Sequence, residues 1–200
     1  MSNLESSTLV VVDVETSGVN PFRNEVLAVA LVPLLSDAAP FELYVRPNAI
    51  EWNSHAKEMF GAYLKRWEAR AVNPLVACED IEHYLGNTFS GKRVTPIGHN
   101  IGFDVAFLRK LAFLGGRDQL AHLSHRGIDT HTMLYLLYLQ GKVPEAALTS
   151  SGAFRHFGIR VPDAERHTAI GDALATKQLM LRLLDLFGVN LHTLLQEAIR

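Results

Sequence analysis

The chain has 200 residues, 48% of them hydrophobic and 20% charged, with a formal net charge of −2 and a single cysteine. That length and composition suit a globular domain with a sizeable core and exclude a disordered chain. The charge excludes an overall basic field that would hold a nucleic-acid duplex by counterion release, and Cys78 alone excludes an internal disulfide or a cysteine-built zinc cluster.

In chain order, Met1-Ser2-Asn3-Leu4-Glu5 lacks the basic and apolar regions of a secretory leader. Residues 8–15, with Val at four positions, read as a buried strand ended by Ser17-Gly18 and Asn20-Pro21. Residues 26–34 form a second apolar run closed by Pro33 and Ser36-Asp37, and residues 41–46 alternate as an antiparallel strand with one wet face should. These three strands predict a meander. The longest apolar run, residues 26–35, is half of the roughly twenty residues needed to cross a bilayer. With one cysteine, that makes a soluble cytoplasmic protein without membrane partners the expectation.

Residues 51–70, interrupted only by Gly61, predict a helix, and residues 75–85 a second. A short strand at 94–97 leads to a helix over 103–114, and a fifth strand at 126–129 leads to a helix over 132–139. Further helices are predicted over 146–157, over 169–187 before Gly188, and briefly over 190–200. Three strands followed by strand–helix units predict an α/β fold: a mixed five-stranded sheet, antiparallel meander plus parallel strands, flanked by helices. No linker or repeat interrupts residues 1–200, so a single domain is expected.

Acidic residues recur beside the apolar segments. Asp13 and Glu15, one residue apart in a strand, leave the same face, while Val12 and Val14 face the other way. Paired carboxylates of this kind suit a hard divalent cation, although the spacing alone also fits solvent-facing acids at a strand end. Asp104 opens a predicted helix after Gly98-His99-Asn100; alone, it fits equally a first-turn acid favoured by the helix dipole. His167 and Asp172 are five residues apart, which places the histidine ahead of the last long helix and the aspartate within it. Histidine ordinarily titrates at about 6.5 and suits general-base work.

Taken in order, Val12-Asp13-Val14-Glu15-Thr16, His99-Asn100-Ile101-Gly102-Phe103-Asp104 and His167-Thr168-Ala169-Ile170-Gly171-Asp172-Ala173 resemble the motifs of the DEDDh group of 3′–5′ exonucleases. That group includes ribonuclease T, oligoribonuclease and the epsilon proofreading subunit of bacterial DNA polymerase III. Ile128-Asp129-Thr130 and Phe157-Gly158-Ile159 look similar too, and the resemblance runs from about residue 8 to residue 187. The sister DEDDy group has a tyrosine four residues before the last aspartate; here that position is Thr168.

The resemblance implies a ribonuclease H-like fold and two divalent cations, Mg²⁺ or Mn²⁺, held by Asp13, Glu15, Asp104 and Asp172. It implies His167 as general base and release of nucleoside 5′-monophosphates from single-stranded DNA or RNA 3′ ends. Thr16, His99, Asn100 and Phe103 are the substrate-binding candidates, His99 and Asn100 by shaping their loop. Asp129 is not among the four metal-binding acids. Around residues 48–73 the family's substrate-contacting motif has no clear equivalent, and Lys65, Arg66 and Arg70 are either phosphate contacts or a solvated helix face. A nucleic-acid-binding or polymerase-accessory module of the same fold is the alternative, and a two-carboxylate glycosidase a more distant one. Phosphate-loop and dinucleotide fingerprints are absent. DNA against RNA, homodimer against monomer, and a polymerase partner are open in the sequence.

Overall fold

The computed structural model describes residues 8–162 and 164–190. β1 (Leu9–Thr16), β2 (Val26–Pro33) and β3 (Phe41–Tyr44) form the antiparallel meander. β4 (Thr95–Gly98) pairs parallel with β1, and β5 (Ile128–Asp129) parallel with β4, giving the order β3-β2-β1-β4-β5. The sheet is thus the mixed five-stranded one that the sequence predicts. Among the described residues no helix is long and apolar enough to cross a membrane.

The alternation of β1 divides the core. Val10, Val12 and Val14 pack with α3 (Pro74–Thr88) and α4 (Ile101–Leu114) on one face of the sheet. Val11 packs on the other face with α7 (Ala169–Leu186) and the aromatic side chains Phe60, Tyr63 and Trp67. A third apolar cluster joins α5 (Thr130–Leu139), α6 (Ser150–His156) and the outer face of α7. β2 is buried along its whole length, as a strand covered on both faces should be, and β1 is buried at Val10, Val11, Val12 and Val14.

Several boundaries differ from the sequence expectation. The helix expected over 51–70 is three pieces: α1 (Ser54–Phe60), a 3₁₀ turn (Gly61–Tyr63) and α2 (Leu64–Arg70). Asn53 starts α1 by accepting from the His55 and Ala56 amides, so Glu51 and Trp52 stay outside, and the irregular turn begins at Gly61. The helix expected over 146–157 is a 3₁₀ turn (Glu145–Leu148) followed by α6, because Thr149 is extended and caps Gly152. β5 is two residues long, and β3 ends at Tyr44, beyond which Val45 bridges to Val72. The terminal helix expected over 190–200 lies outside the described residues.

Candidate active site

β1 supplies the first two acids. Asp13 and Glu15 sit opposite Ala30 and Ala28 of β2, on the same side as Val11 and therefore towards α7. The small alanines leave room for the carboxylates. Beyond Glu15 the register with β2 shifts at Thr16 and the chain leaves the sheet.

Asp104 arrives from the far side of β1, on the first turn of α4. It is buried, and its Oδ1 accepts from the Val14 amide at 3.0 Å. The parallel pairing of β1 with β4 stops at Val11, so this amide lies past the β4 ladder and the carboxylate satisfies it. Asp104 is thus a first-turn acid of α4, and one whose carboxylate is also bonded across to β1. The approach is close: a Cβ on Gly98 would stand 2.8 Å from Ile101 Cδ1 and 3.3 Å from the Val12 carbonyl. Asn100, in left-handed backbone with its amide donating to Asp129 Oδ1 at 2.7 Å, turns the chain into α4. Asp129 is committed to this turn and to capping α5 through the His131 amide and Thr132 hydroxyl.

The third segment is a tight turn pressed on the start of α7. Thr168 caps that helix, accepting from the Gly171 amide and donating to the Glu165 carbonyl, both at 2.8 Å. A Cβ on Gly171 would lie 2.1 Å from the Glu165 carbonyl oxygen, so this position requires glycine. His167 has φ +61°, a left-handed conformation costly for a residue with a Cβ, and its side chain is exposed. Asp172 closes the first turn of α7. Its Oδ1 accepts from the guanidinium of Arg166, which also donates to Ser151 Oγ at 2.6 Å and lies 5.3 Å from the centre of the Phe154 ring. The Arg166 carbonyl accepts from the Tyr63 hydroxyl at 3.1 Å.

Electrostatics tie the acids into one group. Burial, reinforced by the charges of Asp104, Glu15 and Asp172, pushes Asp13 well above the ordinary carboxylate range, with Arg166 opposing. Glu15 is pushed up to about 8 by burial and then by Asp172 and Asp104, again against Arg166. Asp104 is pushed up to about 8 by burial, against the hydrogen bond from Val14. Tyr63 rises to about 12 through burial and then the charges of Glu15 and Asp172, which places its ring beside the site.

Carboxylates held out of water that repel one another are an oxygen-rich, electron-rich donor set suited to hard cations. Among the described residues no three such side chains are drawn into a closed chelate. Arg166, the cation acting on Asp13 and Glu15, is paired with Asp172.

A cleft of about 250 Å³ opens beside the acids, bounded by Glu15, Thr16, Val19, Met59, Phe103 and His167, with Asn53, His55 and Ala56 completing its wall. Thr16 and Phe103 thus line this cleft, although Phe103 also packs on Phe107 with ring centres 4.8 Å apart. His99 and Asn100 do not line this cleft. His99 Nδ1 pairs with Thr130 Oγ1 at 3.1 Å, and burial, then His131, lowers its pKa. The segment around Asn53, in which no substrate motif is readable, forms part of the cleft; its signal was the Asn53 cap at the start of α1. Lys65, Arg66 and Arg70 are exposed on α2 and line no described cavity; Arg70 lies over the Tyr44 ring. Arg166, beside the predicted histidine, carried no sequence signal of its own.

The fold has counterparts among known proteins. No protein-family model matches the chain. The DNA polymerase III subunit epsilon-like protein of Rhodobacter capsulatus is 26% identical over 189 residues, 90% of this chain and 24% of that protein. The chain thus spans about a quarter of the length of this curated relative. E. coli exonuclease I, solved with zinc and single-stranded DNA, superposes with a TM-score of 0.74 at 19% identity over 94% of this chain and 42% of that one. The nuclease domain of 3′hExo, a DEDDh family member bound to rAMP, gives 0.67 at 17% identity over 88% and 91%. The chain has the ribonuclease H-like fold of the DEDDh nucleases.

Proposed function

We propose that this chain is a metal-dependent 3′–5′ exonuclease that hydrolyses the terminal phosphodiester of single-stranded DNA or RNA and releases a nucleoside 5′-monophosphate. The observation that carries this reading is the meeting of Asp13 and Glu15 of β1 with Asp104 of α4 and Asp172 of α7, whose charges all bear on Asp13, beside a one-nucleotide cleft that His167 also lines. Asp13, Glu15, Asp104 and Asp172 would hold two Mg²⁺ or Mn²⁺ ions, which when bound polarise the phosphodiester and stabilise the charge on its entering and leaving oxygens.

The chain's own groups do the rest. Thr16, Phe103 and the wall at Met59 hold the terminal nucleotide in the cleft. His167, presented by its left-handed turn, accepts the proton of the attacking water. The new P–O bond forms as the bond from phosphorus to the 3′ oxygen of the preceding nucleotide breaks, and that oxygen leaves as the new 3′ hydroxyl. Arg166 must release Asp172 for that carboxylate to serve an ion.

End-labelled single strands of matched DNA and RNA test this. Mononucleotide release requiring Mg²⁺ or Mn²⁺ is expected, abolished by chelator and by Asp13→Asn or Asp172→Asn. His167→Ala is expected to slow it by about 10²–10⁴-fold, the usual worth of a general base. Release that persists in chelator or in Asp172→Asn overturns the reading, and the preferred polymer is the one degraded faster.

A further inference from the structure

A second, larger cavity, of about 1090 Å³, runs from His167 along α6 and the loop after it. Its walls carry Arg155, Arg160 and Arg166, and no acidic side chain is among the described residues that line it. In a chain with a net charge of −2 this is a local concentration of cations that composition does not suggest. Arg155 lies in the last turn of α6 and Arg160 just past Gly158, whose φ of +66° reverses the chain, so the two stand on either side of one turn. Both are exposed, and neither is in an ion pair with a described residue. The floor is apolar, made by Phe154, Ile159 and Val161.

His167 lines both cavities. The smaller, below the usual pocket range of about 300–1,000 Å³, has room for one nucleotide and not for two. A strand whose last nucleotide fills it, with the bond to be cut at His167, must continue into the larger groove. We propose that this groove binds the backbone phosphates of the single strand on the 5′ side of the cut, with Arg155 and Arg160 as the phosphate contacts. Arginine suits the role because its planar fork meets phosphate oxygens two at a time, and the apolar floor accommodates sugars and bases. The proposal rests on the exonuclease reading and extends it from the terminal nucleotide to the rest of the strand.

The test compares the full chain with the double variant Arg155→Gln/Arg160→Gln on two substrates. One is the p-nitrophenyl ester of thymidine 5′-monophosphate, a single nucleotide without upstream phosphate; the other is a labelled single-stranded oligonucleotide. The ester should be hydrolysed at the same rate by both proteins, while KM for the oligonucleotide rises tenfold or more in the variant. Placed in an Asp13→Asn background to prevent cleavage, the same substitutions should flatten the slope of log affinity against log salt by about 1.4, for two lost single-strand phosphate contacts. An unchanged KM and slope overturn the groove assignment. A parallel fall on ester and oligonucleotide overturns it too, since it would place the arginines at the reaction itself. Failure of the unsubstituted protein on both substrates removes the exonuclease reading instead.

Discussion

Arg166 holds two roles that metal binding must separate. Its guanidinium bonds Asp172 and Ser151 and eases the charge on Asp13 and Glu15. With the pair's side chains only 20% and 17% exposed, solvent screens the bond incompletely. Arg166→Gln is therefore expected to destabilise the metal-free protein by about 1.5–3 kcal/mol, the range for a hydrogen bond to a charged group, read by urea denaturation in chelator. The same change removes a positive charge that competes for Asp172, so calorimetric titration should show tighter Mn²⁺ binding; weaker binding would make Arg166 a device that orients Asp172 for the ion. The neighbouring His167 offers a complementary case. His167→Gly relieves a left-handed residue and should leave stability unchanged or slightly raised while activity collapses, which separates the chemical role of the side chain from any structural one.

Among the elements, the loop after β1 is a wall of the smaller cleft, and α4 holds it in place. Ser17 donates to the Glu51 carbonyl at 2.8 Å and accepts from the Glu25 amide, and Asn24 reaches the same carbonyl at 2.9 Å. Lys110 of α4 closes the arrangement with Glu25 at 2.7 Å and the Asn24 carbonyl at 2.8 Å. Lys110→Met should cost about 1.5–3 kcal/mol, seen as a lower urea midpoint, and should raise KM for the single-nucleotide ester by loosening the wall. Much at this scale was legible in the sequence. The period of β1 gave the shared face of Asp13 and Glu15, and Gly188 marked the end of α7. What was hidden depends on contacts between distant segments. A first-turn aspartate looks the same whether wet or buried, and Asp104 is buried because the β4 ladder stops at Val11 and leaves the Val14 amide to it. The break of the 51–70 helix follows from its caps and packing, which the composition of that stretch conceals. Arg166, in the turn before α7, bonds Ser151, fifteen residues away in α6.

At the scale of the molecule, acids with raised pKa values make stability depend on pH. Glu15 and Asp104 ionise near 4 to 4.5 in the unfolded chain and only at about 8 in the fold, so between those limits the native state binds more protons. Stability is then greatest below the unfolded values and falls as pH rises through 8. Thermal melts in chelator should show the transition temperature dropping steadily from pH 5 to pH 8.5, and Mg²⁺ or Mn²⁺ should flatten that dependence; a rising or level profile in chelator would contradict the burial of the acids. A further consequence concerns variation. Asp13→Asn, which the exonuclease reading expects to be inert, also removes one of the ionisable groups crowded beneath α7, and should melt higher than the parent at pH 8 without metal. Heat resistance and turnover thus pull this strand in opposite directions, and a search for hardier variants under alkaline, metal-poor conditions would converge on inert ones.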